Sequence, residues 1–334
     1  MQKLCVALIG YGYWGKELFR TLQKIQSIRI VAVCDKNQRV INELQSLDSG
    51  VQIITNKYRD IVSNKDINAV VIATPAETHY KIAMASLQSE KHVLLEKPMT
   101  LEKTHARMLY KLADKKKLIL MIDHTYLYAP EIRVAKQIID SGVLGDIHLI
   151  EATRVGPGQY KYGCDVIWDF APHDISILYY LLGNPTELSA MNSCHLNQHH
   201  IDVSDLYFKF TNGCEAYVYL SWLSPIKIRK ILIVGAKKTL LMEQHGIASK
   251  INVYSNNCYF RESVQTDTYR QDVKNVQRLG GLPYAEPLHN VCHEFVQSII
   301  GHTQPLSNGH MGYKIVNIIQ AAHRPKMSFK PTRT

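Results

Sequence analysis

The sequence predicts an α/β protein in two parts: a doubly wound parallel sheet, then an α+β domain built on a large, open-faced antiparallel sheet. Three observations predict it. Up to residue 122, short apolar runs alternate with helical patterns, as in parallel sheets with crossover helices. Beyond Asp123, strand-like runs follow one another across turn signals with few helices between them, as in antiparallel sheets solvated on one face. The 334 residues, 46% apolar and 20% charged, suffice for about two domains with full-sized cores.

The first element is an apolar strand, Leu4–Ile9, which runs into Gly10-Tyr11-Gly12-Tyr13-Trp14-Gly15 and a helical pattern from Lys16 to about Ile25. This is G-x-G-x-x-G in its meaningful setting, between a strand and a helix. The glycines permit a tight turn and let backbone N–H groups reach a pyrophosphate at the positive helix terminus. The fold is therefore Rossmann-type, with Gly10, Gly12, Tyr13, Trp14 and Gly15 as dinucleotide candidates. A second strand, Ile28–Cys34, ends on Asp35. An acid there accepts hydrogen bonds from ribose hydroxyls and repels a 2′-phosphate, which favours NAD over NADP. Lys36 and Arg39 leave some room for NADP.

Asn37–Ser46 reads as a helix, Val51–Thr55 as a short strand, and Ile67–Ala73 as a strand ending in Thr74-Pro75. Glu77-Thr78-His79-Tyr80 opens the next helix. Val93, Leu94 and Leu95 then form a buried strand that stops on Glu96-Lys97-Pro98. Pro98 has no N–H and holds Lys97 extended, so the strand ends there. A charged pair at the carboxyl end of such a strand sits where open α/β sheets bind ligands. A helix over Leu101–Lys116, capped by Thr100, and a strand over Leu118–Ile122 complete a first domain of residues 1–122.

The second domain, residues 123–334, opens with a helix over Pro130–Ser141, stopped by Gly142 and Gly145. Strands are expected over Ile147–Val155, Glu187–Cys194, Leu206–Phe210, Ala216–Trp222, Lys227–Val234 and Thr239–Glu243. Helices are expected near Leu288–Ile300 and Gly312–Ala322, and an apolar one over Val166–Leu182, ended by Gly183-Asn184-Pro185. That last helix carries Trp168-Asp169-Phe170-Ala171-Pro172-His173-Asp174. Asp169 and His173 are four apart and share a face, so the acid can orient the imidazole and favour its taking a proton. Pro172 either kinks this helix or opens it near Ala171. The plain alternative is a polar helix face. Arg154, Tyr160 and Lys161 flank a Gly-Pro-Gly loop just before it and could grip a diphosphate or carboxylate, or form a basic surface loop. Arg154, Tyr160 and Trp168 are the substrate-side candidates.

Other function classes find little support. Seven scattered cysteines without a Cys-x-x-Cys pair fit reduced thiols in a cytoplasm better than disulfides or zinc. His195, His199 and His200 have no acid or cysteine spacing to complete a metal site, so no metal is expected. His289 and His293 share a helical face without the His-Glu-x-x-His order and read as structural. No run of eighteen apolar residues argues for a membrane span, and the apolar start after Lys3 is broken too soon for an export signal. The formal net charge of +10 is spread along the chain, with dense runs only at Lys115–Lys117 and Arg324–Arg333. It suits an anionic small ligand better than a nucleic acid.

Taken together, Gly10 to Gly15, Thr74-Pro75 with His79, Glu96-Lys97-Pro98, and Asp169 with His173-Asp174 resemble the Gfo/Idh/MocA oxidoreductase family over nearly the whole chain. Within it, GYGYWG, WDFAPHD and SWLSPIKIRKILIVG are most like the UDP-N-acetylhexosamine (or uronate) 3-dehydrogenases. Members of that branch oxidise a C3 hydroxyl ahead of a transaminase in cell-surface polysaccharide biosynthesis. The resemblance implies an NAD-dependent dehydrogenase, a homodimer or homotetramer, acting on a CH–OH group of a sugar or nucleotide sugar. It implies Lys97 between nicotinamide and substrate hydroxyl, Asp169 and His173 on the substrate side, and Thr74, Pro75, His79 and Glu96 beside the cofactor. The chemistry agrees with these roles. A secondary alcohol is a poor proton donor, and a neutral histidine, ordinarily near pKa ~6.5, is suited to take its proton during hydride loss. A free polyol such as inositol is the alternative substrate. A non-catalytic dinucleotide sensor on the same fold is the alternative class, and the joint presence of Lys97, Asp169 and His173 speaks against it.

Overall fold

The computed structural model describes residues 3–46, 50–158, 164–196, 198–245, 248–259, 270–279 and 286–323. The chain divides into two compact units, Met1–Tyr128 with Ala285–Gln320, and Ala129–Tyr284 with Ala321–Thr334. The helices near the end of the chain, which the sequence reading gave to the domain 123–334, thus fall mostly in the first unit.

In the first unit the chain runs β1 (Leu4–Ile9), α1 (Tyr13–Leu22), β2 (Ile28–Cys34), α2 (Gln38–Ser46), β3 (Ile53–Thr55), α3 (Tyr58–Ser63) and β4 (Ala69–Ile72). It continues through α4 (Ala76–Gln88), β5 (His92–Glu96), α5 (Lys103–Lys116) and β6 (Leu120–Asp123) to a 3-10 turn, Thr125–Tyr128. The six strands are all parallel, in the order β3-β2-β1-β4-β5-β6. Their uninterrupted apolar runs follow from burial on both faces: every residue of β4 is inaccessible, as are Val6, Ala7 and Leu8 of β1. The order reverses between β1 and β4, which makes the carboxyl edge there the ligand crevice of this topology. Two local expectations are corrected. Helix α1 begins at Tyr13, not Lys16, so Tyr13, Trp14 and Gly15 are its first turn. Glu102, not Thr100, precedes α5, because the Thr100 hydroxyl donates to the Glu102 carbonyl.

The second unit contains α6 (Pro130–Asp140), β7 (Ile147–Val155), α7 (Val166–Leu182), β8 (Pro185–Ser193), β9 (Val203–Phe210), β10 (Glu215–Ser221) and β11 (Ile228–Gly235). β12 (Lys238–His245), β13 (Ala248–Tyr259) and β14 (Arg270–Leu279) extend its sheet. The eight strands lie in the order β14-β13-β12-β11-β7-β10-β9-β8. This sheet is mixed rather than purely antiparallel, since β7 pairs parallel with β10. β7 sits in the middle, and the chain returns to its side by way of α7 and the β8–β9–β10 meander, so the two run the same way. In β10, Ala216, Val218 and Leu220 are buried while Tyr217 and Tyr219 are exposed: one face is core and the other open.

The chain then re-enters the first unit as α8 (Pro287–Gly301) and α9 (Gly309–Ala322). α8 packs on α1 and on the 3-10 turn, and Glu286 ahead of it meets Arg20 and Lys24 of the α1 region at 2.5 and 3.2 Å. Asn308 adds a short antiparallel bridge to Met121 of β6.

Candidate active site

At the carboxyl edge of the parallel sheet the sequence motifs converge. Gly10 follows β1 with φ +97°, and a Cβ there would stand 2.4 Å from the Ala73 carbonyl oxygen beyond β4. A Cβ on Gly15 would stand 2.1 Å from the Gly10 carbonyl oxygen. Both positions need glycine for closeness of backbone to backbone. A Cβ on Gly12 would meet nothing within 4 Å, and no side chain caps the helix that Gly12 opens. An open Gly12 side and a first turn of α1 that no described side chain caps suit a diphosphate. Asp35 shapes the loop from the side, accepting the Tyr11 N–H at 2.7 Å and the Asn37 N–H at 2.8 Å. Tyr13 is 85% exposed beside the glycine loop and stacks on Trp14 at 6.5 Å.

The turn after β4 and the turn after β5 are fastened to each other. His79 of α4 is buried, with Nδ1 2.8 Å from the Pro98 carbonyl oxygen and Nε2 2.8 Å from the Thr74 carbonyl oxygen. Burial lowers its proton affinity and the two carbonyls oppose that. The Thr74-Pro75 and Glu96-Lys97-Pro98 motifs, 21 residues apart in the chain from Pro75 to Glu96, are thus braced by one imidazole. The Lys97–Pro98 bond is cis, and the Lys97 N–H donates to Glu96 Oε2 at 3.1 Å.

Sequence reasoning passed over two residues on this edge. Asp123 ends β6 directly opposite Glu96, and His124 follows it; each is 1% exposed. Both ring nitrogens of His124 are buried without a hydrogen-bond partner among the described residues. Burial, and then the ammonium of Lys97, push its pKa down to about 3, so the ring is neutral. The signal was available: both residues stand at the carboxyl end of a predicted strand, where Lys97 had already been singled out.

In the second unit, α7 runs unbroken from Val166 to Leu182 with Pro172 inside it, so Asp169 and His173 lie one turn apart on one face. Pro172 cannot donate to the Trp168 carbonyl, and the helix tolerates that gap. Asp165 fixes the helix start by accepting the Trp168 N–H at 2.9 Å, and its other oxygen lies 2.8 Å from His323 Nε2. The Trp168 ring stacks on His323 with centroids 5.4 Å apart. Neither Asp165 nor His323 carried a sequence signal for this role.

Arg154 is placed differently from the expectation. It is 5% exposed on β7, and its Nε and Nη2 donate to Asp174 of α7 at 2.5 and 3.1 Å. Its guanidinium clamps the helix to the sheet. Tyr160 and Lys161 lie outside the described residues. His195 pairs with buried Asp202 at 2.8 Å, an acid that closes its own hairpin. Among the described residues no helix is long and apolar enough to cross a membrane.

Two family models match in the order in which the units unfold along the chain. Residues 4–124 match the oxidoreductase family with an NAD-binding Rossmann fold, and residues 132–241 match the GFO/IDH/MocA C-terminal domain. The chain belongs to the GFO/IDH/MocA oxidoreductase family. Inositol 2-dehydrogenase 1 of Mycolicibacterium vanbaalenii is 28% identical over 186 residues, 54% of this chain and 54% of that protein. This match therefore spans about half the length of that curated relative. A levoglucosan dehydrogenase in complex with NADH and L-sorbose has the same fold, with a TM-score of 0.82 at 20% identity over 96% of each chain. A UDP-N-acetylglucosamine 3-dehydrogenase from Acidithiobacillus ferrooxidans gives a TM-score of 0.78 at 20% identity, over 96% of this chain and 97% of that one.

Proposed function

We propose that this family member is an NAD-dependent dehydrogenase that transfers a hydride between a secondary hydroxyl of a sugar-type substrate and nicotinamide. The observation that carries the reading is the order of strand ends: the glycine cradle of β1 and β4 stands next to the end of β5, which carries Lys97. NAD, when bound, supplies the hydride acceptor. Gly10, Gly12, Gly15 and Asp35 would hold its dinucleotide part, and Thr74, Pro75 and His79 would line its nicotinamide side. In the oxidative direction the substrate loses a hydride from carbon and a proton from oxygen. His173 takes that proton, and Asp169, one turn earlier on the same face, orients the ring or binds a second hydroxyl. Lys97 donates a hydrogen bond to the reacting oxygen and stabilises its developing negative charge.

The narrower reading is oxidation at C3 of a UDP-N-acetylhexosamine or its uronate. The branch resemblance of the motifs and the likeness to a UDP-N-acetylglucosamine 3-dehydrogenase support it. A free sugar or polyol is the second reading, favoured by the pairing of Arg154, expected to grip a diphosphate, with Asp174. Following NAD reduction with UDP-N-acetylglucosamine, its uronate, myo-inositol and levoglucosan tests both. Reduction by the nucleotide sugar alone would establish the narrower reading. Binding of NADH without turnover of any sugar would overturn the dehydrogenase assignment.

A further inference from the structure

Two carboxyl groups that the proposed hydride transfer does not use face each other beside Lys97. The register of β5 on β6 sets Glu96 directly against Asp123, and both Asp123 and the Glu96 Oε1 atom are buried there. Two carboxyl groups side by side in a buried site cannot both ionise cheaply, so one of them keeps its proton. Their other partners say which. Asp123 accepts the Thr125 hydroxyl at 2.6 Å through Oδ1 and the Trp14 indole N–H at 3.4 Å through Oδ2, so both its oxygens are engaged as acceptors. Among the described residues Glu96 accepts only the Lys97 backbone N–H through Oε2, and its buried Oε1 has no hydrogen-bond partner there. The proton belongs on Glu96. The other titratable groups facing the pair are Lys97 beyond β5, neutral His124 beyond β6, and the buried Cys292 thiol of α8.

We propose that Glu96 and Asp123 are positioning residues that share one proton and, through the Asp123 bond to Trp14, tie the dinucleotide loop to the strand end that carries Lys97. The inference deepens the dehydrogenase reading and rests on it for its catalytic consequence. The physical reason is local charge. A neutral Glu96 leaves a single negative charge near Lys97, held in place by Trp14 and Thr125. That charge complements the cation whose hydrogen bond stabilises the reacting oxygen.

The sign of the pH effect follows. Burial first, and then Asp123, hold the Glu96 carboxyl well above its ordinary range, while Lys97 opposes them. The native protein keeps this proton over a pH range in which the unfolded chain has released it. Stability is therefore lost as pH rises above the ordinary carboxyl value, until the native group ionises. Glu96→Gln mimics the protonated side chain and cannot ionise. Melts of ligand-free protein from pH 5 to 9 should show Glu96→Gln gaining on the wild type as pH rises. A constant gap would overturn the shared proton. A variant that does not fold leaves the infrared band of a protonated buried carboxyl at pH 7 in the wild type to decide, and its absence there would also overturn it. The link to the loop is read by NADH titration. Trp14→Phe and Asp123→Ala should each weaken NADH several-fold, and the double variant no more than the worse single one. Multiplying effects would break the link. Protein that binds no NADH would refute the dehydrogenase reading and the loop link, whereas the melts and the infrared band still judge the shared proton.

Discussion

In the proposed mechanism Lys97 and His173 have separate tasks, one stabilising charge on oxygen and the other taking a proton, and their removal should reflect that. Lys97→Ala and His173→Ala are each expected to lower turnover by at least ~10², since a positioned acid–base group typically contributes ~10²–10⁴. NADH affinity, followed by its fluorescence, should persist in the His173 variant. Near-normal turnover in either variant removes that residue from the mechanism. Asp35 bears on the choice of cofactor. Its two oxygens accept the N–H groups of Tyr11 and Asn37, which fixes the carboxylate at the end of β2. Asp35→Ala should narrow the preference for NAD over NADP, measured as the ratio of kcat/KM for the two. Tighter binding of NADP by the wild type would end the assignment of Asp35 to the ribose.

At the scale of elements, α7 is held to its sheet by a buried ion pair as well as by apolar contact. Arg154 and Asp174 are 5% and 2% exposed, so neither charge is screened by solvent once its partner is lost. Breaking such a pair on one side typically costs about 3–5 kcal/mol. Arg154→Ala should therefore show a large fall in denaturation midpoint, and any loss of activity should come as a lower kcat from a displaced helix. A variant of unchanged stability with only a raised KM for a nucleotide sugar would restore the role of Arg154 as a substrate ligand. The helix also packs on β9 and β10, and its Phe170 meets Trp222 beyond β10 edge-on.

For the whole molecule, the formal charge of +10 distinguishes the two substrate classes. A nucleotide sugar carries about two negative charges on its diphosphate, and binding to a basic protein weakens as salt shortens the range of attraction. A neutral polyol has no such dependence. Raising ionic strength should increase KM for a UDP-sugar and leave it nearly constant for inositol or levoglucosan. Calorimetry with UDP alone gives the same answer without turnover. No detectable UDP binding, together with oxidation of a free sugar, would assign the chain to the polyol class.

Local pattern alone was enough for the elements of the parallel sheet, the glycine cradle, Asp35, the Glu-Lys-Pro stop and the bounds of α7. Each depends on neighbours within a few residues: strand apolarity, glycine at a turn, a proline that cannot donate, an apolar helix closed by Gly183. β13 and β14 escaped notice because Ser, Asn, Gln and Lys break their alternation, and pairing with neighbouring strands supplies what their own propensity lacks. The parallel pairing of β7 with β10, the engagement of Arg154 by Asp174, the brace at His79 and the meeting of Glu96 with Asp123 were not legible. Arg154 and Asp174 are 20 residues apart and Glu96 and Asp123 are 27, and nothing in either stretch names the other. Such contacts arise when strands choose neighbours and burial strips water from charged groups, so a group's partner, its protonation and its work follow from the packed chain.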